Sequence, residues 1–266
     1  MQQKGGASLA YSKQDYIAVF DSGLGGLSVL RHLRRIMPNE NYLYYGDCAN
    51  APYGSRTTAQ VRELTMAAVD HLLENYPVKA FVVACNTATA AAIGHLRALH
   101  PDLVVIGIEP ALKLAADRFP SGRIGVMATQ VTLREEKFHN LWQRVAGGCQ
   151  VYPIEAPGLV ELVESGEENS PAAFQLLQRL LEPYVGGLDA LVLGCTHYPF
   201  AAETITKVLG DGTVLLDGGD GTARETRRRL AEVELLAPAD QEGSLLLQCS
   251  GEADRFICLA QKLLDR

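Results

Sequence analysis

The sequence predicts an α/β protein with two pseudo-symmetric domains, each a mostly parallel sheet flanked by helices, and an active site in the inter-domain cleft. Short apolar runs alternate with longer helical segments along the chain, which is typical of buried parallel strands connected by helices. Two of these runs, residues 80–84 and 190–194, share the pattern Ala, apolar, Val, apolar, small. Each is followed by a cysteine, Cys85 or Cys195. This repeat indicates two related halves.

The predicted elements follow one another in order, and proline or glycine marks several boundaries, such as Pro38 after the first helix and Gly166 after a short later helix. Strands are predicted at 16–20, 42–45, 80–84, 104–108, 122–127, 150–153, 188–193, 213–217 and 244–249. Helices are predicted at 29–37, 58–76, 88–99, 133–145, 159–164, 171–184, 201–209, 221–232 and 252–264. Because the alternation restarts near residue 110, we expect a discontinuous first domain, 1–109 plus 213–266, and a second domain, 110–212.

The composition is that of an ordinary globular protein, with 266 residues, a formal charge of −7 and a pI near 5.4. This acidic balance argues against a nucleic-acid-binding surface, which needs clustered Lys and Arg, but not against a small anionic substrate. No apolar stretch approaches the ~20 residues of a membrane span, and residues 1–16 lack the apolar segment of a secretory signal. We therefore expect a cytoplasmic protein, independent of membrane and nucleic acid, whose six scattered cysteines are thiols.

The two matched thiols are the main functional signal. Each follows a predicted buried strand, and open α/β sheets bind ligands at the carboxyl ends of their strands. Two acid/base groups on opposite faces of one carbon suit inversion of its configuration, because one thiolate removes a proton and the other thiol returns one to the opposite face. A free thiol has a pKa of about 8.5, so the working thiolate needs stabilisation. His197 is close enough to assist Cys195, and Asp21 could act on the side of Cys85.

No electron-accepting cofactor is indicated, so hydrogen-bond donors must stabilise the carboxylate where charge develops. The polar side chains available for this are Ser22, Asn86, Thr87 and Thr196. The glycine-rich segment 21–28 precedes a helix but lacks the third glycine of a dinucleotide fingerprint. Its glycines would let a ligand approach the backbone, and the helix N-terminus offers N–H groups to an anion. Asp21 is either catalytic or the N-cap of this helix.

Other interpretations of the cysteines stay open at this point. Free cysteines are often buried structural residues. Cys85, Cys195 and His197 could bind zinc, although sequence spacing is a poor guide here, and we expect no metal. A Cys–His nucleophile for acyl transfer is the stronger rival, but it would leave the second thiol without a role.

Four segments carry a family resemblance that extends from about Ile17 to the C-terminal part of the chain. They are Phe20-Asp21-Ser22-Gly23-Leu24-Gly25-Gly26-Leu27-Ser28-Val29, Pro52-Tyr53-Gly54, Ala84-Cys85-Asn86-Thr87-Ala88 and Gly194-Cys195-Thr196-His197-Tyr198-Pro199. In this order and combination they resemble the glutamate racemases of the cofactor-independent aspartate/glutamate racemase superfamily. The resemblance implies interconversion of L-glutamate and D-glutamate without a cofactor, which supplies D-glutamate for bacterial peptidoglycan.

The resemblance also implies roles for individual residues. Cys85 acts on the D-enantiomer and Cys195 on the L-enantiomer, with Asp21 and His197 as assistants. The catalytic helical glutamate of the family corresponds best to Glu164, with Glu161 as the alternative register. The residues that match substrate-holding positions are Asp21, Ser22, Tyr53, Gly54, Asn86, Thr87, Thr129, Thr132, Thr196 and His197. Beyond Thr132 the family's pattern is not kept, so no site residue is placed there.

Three alternatives remain beside this function. An aspartate or other amino-acid racemase of the superfamily would share both thiols, although residues 52–54 and 196–199 favour glutamate. A cysteine-dependent hydrolase would need one thiol, and a non-catalytic binding protein would need neither. The resemblance further implies a homodimer. The tail before Ile17 is longer than in minimal members, and whether a cell-wall precursor activates the protein stays open.

Overall fold

The computed structural model describes residues 11–108, 111–134, 136–145 and 148–265. The predicted domain boundary at residues 109 and 110 and most of the tail before Ile17 lie outside these ranges. Within them, no helix is long and apolar enough to cross a membrane.

Strands and helices alternate along the chain. The strands are β1 (Tyr16–Asp21), β2 (Tyr42–Gly46), β3 (Val78–Val83), β4 (Val104–Gly107), β5 (Arg123–Ala128), β6 (Gln150–Glu155), β7 (Ala190–Leu193), β8 (Val214–Asp217) and β9 (Leu245–Cys249). The α-helices are α1 (Leu27–Ile36), α2 (Thr58–Asn75), α3 (Asn86–Leu99), α4 (Leu112–Arg118), α5 (Gln130–Arg134), α6 (Glu136–Val145), α7 (Leu159–Glu164), α8 (Pro171–Leu181), α9 (Ala202–Leu209), α10 (Gly219–Glu232) and α11 (Ala253–Leu264). Short 3-10 helices lie at Cys48–Asn50, Tyr53–Ser55, Glu182–Tyr184 and Tyr198–Ala201.

The first sheet is parallel throughout, with the strand order β4-β3-β1-β2-β9. Its central strands β1 and β3 are buried along almost their whole length and are apolar or aromatic apart from Asp21 and Lys79. Alternate side chains point to opposite faces, so Ile17 and Val19 join a core with α1, α10 and α11, whereas Ala18 and Phe20 join a core with α2 and α3. Helices therefore cover both faces, as parallel sheets require.

The second sheet is also parallel, with the order β6-β5-β7-β8. Leu191 and Leu193 of β7 face a core with α8 and α9, and Val192 faces the opposite core with α4 and α6. The predicted fold class, two parallel sheets flanked by helices, is confirmed.

The position of β8 differs from the predicted domain boundary. The prediction assigns residues 213–266 to the first domain, yet β8 pairs with β7 in the second sheet. Helix α10 then packs against α1, and β9 pairs with β2. We infer that the chain returns to the first domain after Asp217 rather than at residue 213.

Two helices of the second half differ from the predicted elements. The sequence did not predict α4, a seven-residue helix that buries Leu112 and Ala115. The sequence predicts no helix before Leu133, yet α5 begins at Gln130. The reason is that Thr129 caps it: its Oγ1 accepts the N–H of Thr132 at 3.4 Å. This cap places both threonines beside the cleft.

Candidate active site

A cavity of about 250 Å³ lies between the two sheets. It is smaller than the roughly 300–1,000 Å³ typical of sites for drug-sized ligands. Its walls include residues that closely follow four strands: Ser22 after β1, Cys85 after β3, Thr129 after β5 and Cys195 after β7. The predicted site residues on its walls are Ser22, Tyr53, Gly54, Cys85, Asn86, Thr87, Thr129, Cys195, Thr196 and His197.

Cys85 is the N-cap residue of α3, whose first helical residue is Asn86. Its Sγ accepts the N–H of Ala88 at 3.4 Å and lies 3.7 Å from the Ser22 hydroxyl. Burial raises the pKa of the Cys85 thiol to about 12, and the nearby Asp21 carboxylate adds to this, whereas the Ala88 N–H works in the opposite direction. At neutral pH the unliganded site therefore holds Cys85 as the protonated thiol.

Cys195 lies in a different environment, because the short 3-10 helix Tyr198–Ala201 separates it from α9. Its Sγ is 3.6 Å from Nδ1 of His197, and Nε2 of His197 is 2.6 Å from Oε1 of Glu164. Burial alone would lower the pKa of His197, but the hydrogen bonds to Cys195 and Glu164 outweigh burial and raise it well above its ordinary value. The second thiol therefore has an imidazolium beside it.

Glu164, at the end of α7, orients this imidazole. Its Oε1 also accepts the backbone N–H of Leu24 at 2.7 Å. Burial would raise the pKa of Glu164, but the hydrogen bond and charge of His197 and the Leu24 N–H together lower it. Glu164 stands behind His197 and not on the cavity wall. Glu161, the alternative register, lines the cavity but is not the partner of His197.

Asp21 is completely buried at the end of β1. It is not the N-cap of α1, because Gly26 occupies that position. Its carboxylate accepts hydrogen bonds from the Thr196 hydroxyl at 2.9 Å and the Gly23 N–H at 3.0 Å. Burial raises the pKa of Asp21, and the charge of His197 and these donors oppose the rise. Asp21 therefore joins the first sheet to the Cys195 segment.

The glycines of segment 21–28 serve contact between the domains. A Cβ at Gly25 would lie 2.5 Å from Nδ1 of His197, and a Cβ at Gly23 would collide with the Glu164 carboxylate. The sequence predicts that these glycines admit a ligand and that the helix N-terminus binds an anion. In the structure the glycines admit side chains of the second domain, and the Leu24 N–H, which precedes α1, donates to the Glu164 carboxylate.

A line of threonines connects the domains on the other side of the cavity. The Thr87 hydroxyl lies 3.2 Å from that of Thr129, which lies 3.0 Å from that of Thr132. Thr132 is buried behind this line and does not reach the cavity wall. A Cβ at Gly54 would lie 3.1 Å from Thr129, so the loop that carries Tyr53 also approaches the second domain closely.

Sequence reasoning missed part of the cavity wall. The missed residues are Pro52, Ser55, Gln130, Glu155, Ala156, Pro157, Gly158, Val160 and Tyr198. Of these, Pro52 and Tyr198 belong to the segments that carried the family resemblance and could have been found there. The Tyr198 hydroxyl and the Asn86 Oδ1 are buried and have no hydrogen-bond partner among the described residues. Such groups mark places where a ligand can complete the hydrogen bonding.

Similarity to known proteins agrees with this architecture. The sequence profile of Asp/Glu/hydantoin racemases matches residues 24–226. The glutamate racemase of Clostridium perfringens is 43% identical over 250 residues, which cover 94% of this chain and 96% of that protein. A glutamate racemase isoform from Bacillus anthracis has a similar crystal structure, with a TM-score of 0.85, 31% identity and coverage of 96% of this chain and 95% of that one.

The Escherichia coli glutamate racemase was solved with L-glutamate and the activator UDP-MurNAc-Ala. It has a TM-score of 0.84 and 34% identity, and the match covers 94% of this chain and 95% of that one. Profile, sequence relatives and structures agree over nearly the whole chain. The chain therefore belongs to the Asp/Glu/hydantoin racemase family and, within it, to the glutamate racemases.

Proposed function

We propose that this protein interconverts L-glutamate and D-glutamate through two thiols, without a cofactor. The observation that carries the proposal is the position of Cys85 and Cys195, one from each half of the chain, on the wall of one small cavity. Both are almost fully buried, so a substrate between them is shielded from water. Membership of the glutamate racemases supports glutamate as the substrate, and the Escherichia coli relative holds L-glutamate.

In the L-to-D direction, the Cys195 thiolate removes the α-proton, and the electron pair of the broken C–H bond stays on the substrate. The Cys85 thiol then gives its proton to the opposite face of the α-carbon, which forms D-glutamate and leaves Cys85 as a thiolate. The D-to-L direction uses the same groups in reverse order. Each turnover exchanges the protonation states of the two thiols, so a proton must return before the next turnover in the same direction.

His197 and Asp21 assist the two sides differently. The charged imidazole of His197 stabilises the Cys195 thiolate and can donate a proton to it, and Glu164 keeps the ring in place through the hydrogen bond at 2.6 Å. Asp21 holds Thr196 and lies near Cys85, with the Ser22 hydroxyl between them. A carboxylate cannot stabilise a thiolate by its charge, so Asp21 orients donors or relays a proton.

Neutral donors must stabilise the negative charge that develops on the substrate carboxylate. Asn86 and Thr87 stand at the N-terminus of α3, where backbone N–H groups favour an anion. Thr196 lines the cavity from the second domain, where its hydroxyl donates to Asp21 and its oxygen can still accept a hydrogen bond. The unpartnered Asn86 Oδ1 can accept a hydrogen bond from the substrate ammonium. Ser22, Tyr53, Gly54, Thr129 and Thr132 complete or support this substrate shell.

The wider role follows from the same proposal. D-glutamate formed here would supply peptidoglycan synthesis, and the reducing cytoplasm would keep both reacting cysteines as thiols. We further propose a homodimer of two-domain subunits, on the strength of the family resemblance. Sedimentation at high protein concentration tests the dimer, and a purely monomeric protein would refute it.

Incubation of the purified protein with L-glutamate in deuterated water tests the function. We expect optical rotation to fall to zero and deuterium to enter the α-position without added cofactor or metal. Activity that disappears with a chelator and returns with zinc would overturn the two-thiol proposal. L-aspartate, incubated in parallel, tests the alternative substrate.

A cysteine hydrolase is the one rival that a specific observation favours, because Cys195, His197 and Glu164 form a chain of nucleophile, base and orienting acid. Such an enzyme would not need Cys85. Hydrolysis of amide or ester substrates that survives in Cys85→Ser, with no deuterium exchange in the wild type, would favour the rival.

A further inference from the structure

Asp47 is a buried carboxylate next to the cavity that the proposed chemistry does not use. It follows β2 directly and is 4% exposed. The loop that follows it carries Pro52, Tyr53, Gly54 and Ser55, which form one wall of the cavity. The question is therefore what holds this wall in place.

Four hydrogen bonds converge on the Asp47 carboxylate. The Tyr53 hydroxyl donates to Oδ2 at 2.6 Å, and the Ser250 hydroxyl donates to Oδ1 at 2.7 Å. The Asn50 amide donates to Oδ1 at 3.0 Å and to Oδ2 at 3.1 Å. A carboxylate is an acceptor at both oxygens, so it can receive all four bonds, whereas an amide offers only one oxygen.

These contacts close the loop on itself and tie it to the connection between β9 and α11. The Arg56 side chain donates to the Asn50 carbonyl at 2.9 Å, which closes the loop on itself. Ser250, in the connection between β9 and α11, also accepts the Ala49 N–H at 3.0 Å. The C-terminal part of the first domain thus supports the cavity wall.

The same contacts decide what Tyr53 presents to a substrate. Its hydroxyl is committed to Asp47, and the side chain is almost fully buried. Tyr53 and Gly54 therefore line the cavity without offering the Tyr53 hydroxyl to a substrate. Gly54 in turn approaches Thr129 so closely that a small shift of the loop would change the width of the cavity.

We propose that Asp47 is a positioning residue for substrate binding, which fixes the Pro52–Ser55 wall through Tyr53 and Asn50 and links it to Ser250. Asp47 does not touch the substrate and takes no proton from it. This inference rests on the proposed function for its substrate, glutamate, but the order of the loop can be measured without any activity.

The test compares Asp47→Asn with the wild type. We expect KM for glutamate to rise roughly tenfold in both directions, since hydrogen bonds to a charged group are lost, while kcat changes much less. Amide hydrogen exchange should become faster in residues 48–56 and stay unchanged in α3. Ser250→Ala should show the same pattern with a smaller rise in KM, because only one of the four bonds is lost.

Glu40→Gln is the matched control. Glu40 is a buried carboxylate at the other end of β2, paired with Lys79 at 2.6 Å and with the Ala237 N–H at 2.8 Å. We expect this variant to lower Tm and leave KM unchanged. The proposal is overturned if Asp47→Asn lowers Tm alone, or if Glu40→Gln raises KM equally. A wild type that does not racemise glutamate would refute the proposed function, and the exchange of residues 48–56 would then decide on Asp47 by itself.

Discussion

The two thiols follow the same sequence pattern but have different surroundings. Cys85 caps a fourteen-residue helix, and its neighbours are a helix N–H, a hydroxyl and the Asp21 carboxylate. Cys195 precedes a short 3-10 helix, and its neighbour is an imidazolium held by Glu164. Cys85 thus keeps its proton, whereas Cys195 has the charged imidazole of His197 beside it.

In the proposed mechanism, L-glutamate needs Cys195 as the base and Cys85 as the protonated thiol. The raised pKa of Cys85 agrees with the second of these roles. The D-enantiomer needs the opposite distribution of protons. In the proposed mechanism the repeated strand and cysteine supply the two faces, and the different neighbours of the two cysteines make these faces unequal.

Replacement of either thiol should have the largest effect. Cys85→Ser and Cys195→Ser should each racemise glutamate at least about a thousandfold more slowly. A serine hydroxyl is a much weaker acid than a thiol, so it does not ionise near neutral pH and cannot act as the base. Elimination from a glutamate analogue with a β-chloro leaving group should survive on one face. We expect Cys85→Ser to eliminate from the L-analogue and Cys195→Ser from the D-analogue.

Cys258→Ser is the control for the thiol variants, because Cys258 is exposed and distant in sequence from both motifs. It should racemise like the wild type. If both active-site variants eliminate from the same enantiomer, the two thiols do not flank the α-carbon.

His197→Asn should have the next largest effect. We expect kcat from L to D to fall by about a hundredfold, because the charged imidazole that stabilises the Cys195 thiolate is lost. The two enantiomers have equal free energy, so kcat/KM must fall equally in both directions, and KM must compensate any difference in kcat. A kcat that falls equally from both sides would show that His197 does not serve one thiol in particular.

Chemical labelling compares the thiols without substrate. Cys85 and Cys195 are similarly buried, at 5% and 7% exposed. Because burial raises the pKa of Cys85 to about 12 and the imidazole of His197 lies 3.6 Å from Cys195, iodoacetamide should label Cys195 at least about tenfold faster at pH 8. Peptide mass spectrometry measures both rates. Faster labelling of Cys85 would contradict the assigned environments.

The smallest expected effect is on stability. The pKa of His197 is raised, so its contribution is complete below about pH 6.5 and is lost as pH rises through the raised value. The pKa of Glu164 is lowered, so its contribution is complete above about pH 4.5 and is lost as pH falls. Glu164→Gln should therefore lower Tm most near pH 5.5, by about 2–4 °C for each kcal/mol lost, and less as pH approaches 10.

Glu203→Gln provides the comparison for this pH dependence. Glu203 pairs with Lys207 on the exposed surface of α9, where an ion pair contributes little. The Tm of Glu203→Gln should hardly differ from that of the wild type at any pH. An equal loss of Tm for Glu164→Gln at pH 5.5 and pH 10 would contradict the charged pair with His197.

Most of the fold could be predicted because buried parallel strands are continuous apolar runs that the chain repeats. The predicted α7 matches the structure at both ends, and most strands differ by one or two residues. The failures have local causes. Helix α4 is too short for a clear period, and the Thr129 cap turns an apparent loop into α5. Which sheet β8 joins depends on its pairing with β7, and the apolar pattern of a single strand does not reveal its partner.

The site was predictable where chemistry is concentrated in a motif. Cys85, Cys195 and His197 meet at one cavity, as their motifs indicated. The support behind them was not predictable, because it joins residues far apart in the chain. The Asp21 carboxylate accepts a hydrogen bond from Thr196, and the Glu164 carboxylate accepts one from Leu24. These partners are far apart in the sequence, so no local pattern reveals them. The predicted roles of all these residues stay predictions until the variants are measured.

The bond between Glu164 and Leu24 couples the chemistry to the closure of the cleft. One carboxylate oxygen receives the backbone N–H of the first domain and the imidazole that serves Cys195. If the domains separate, Glu164 loses the first partner, and His197 loses the support that fixes its ring. In the proposed mechanism, an opening of the cleft that releases the product would therefore also release the imidazole beside Cys195. The same contact would favour a closed cleft while the intermediate, which a proton from water would destroy, is present.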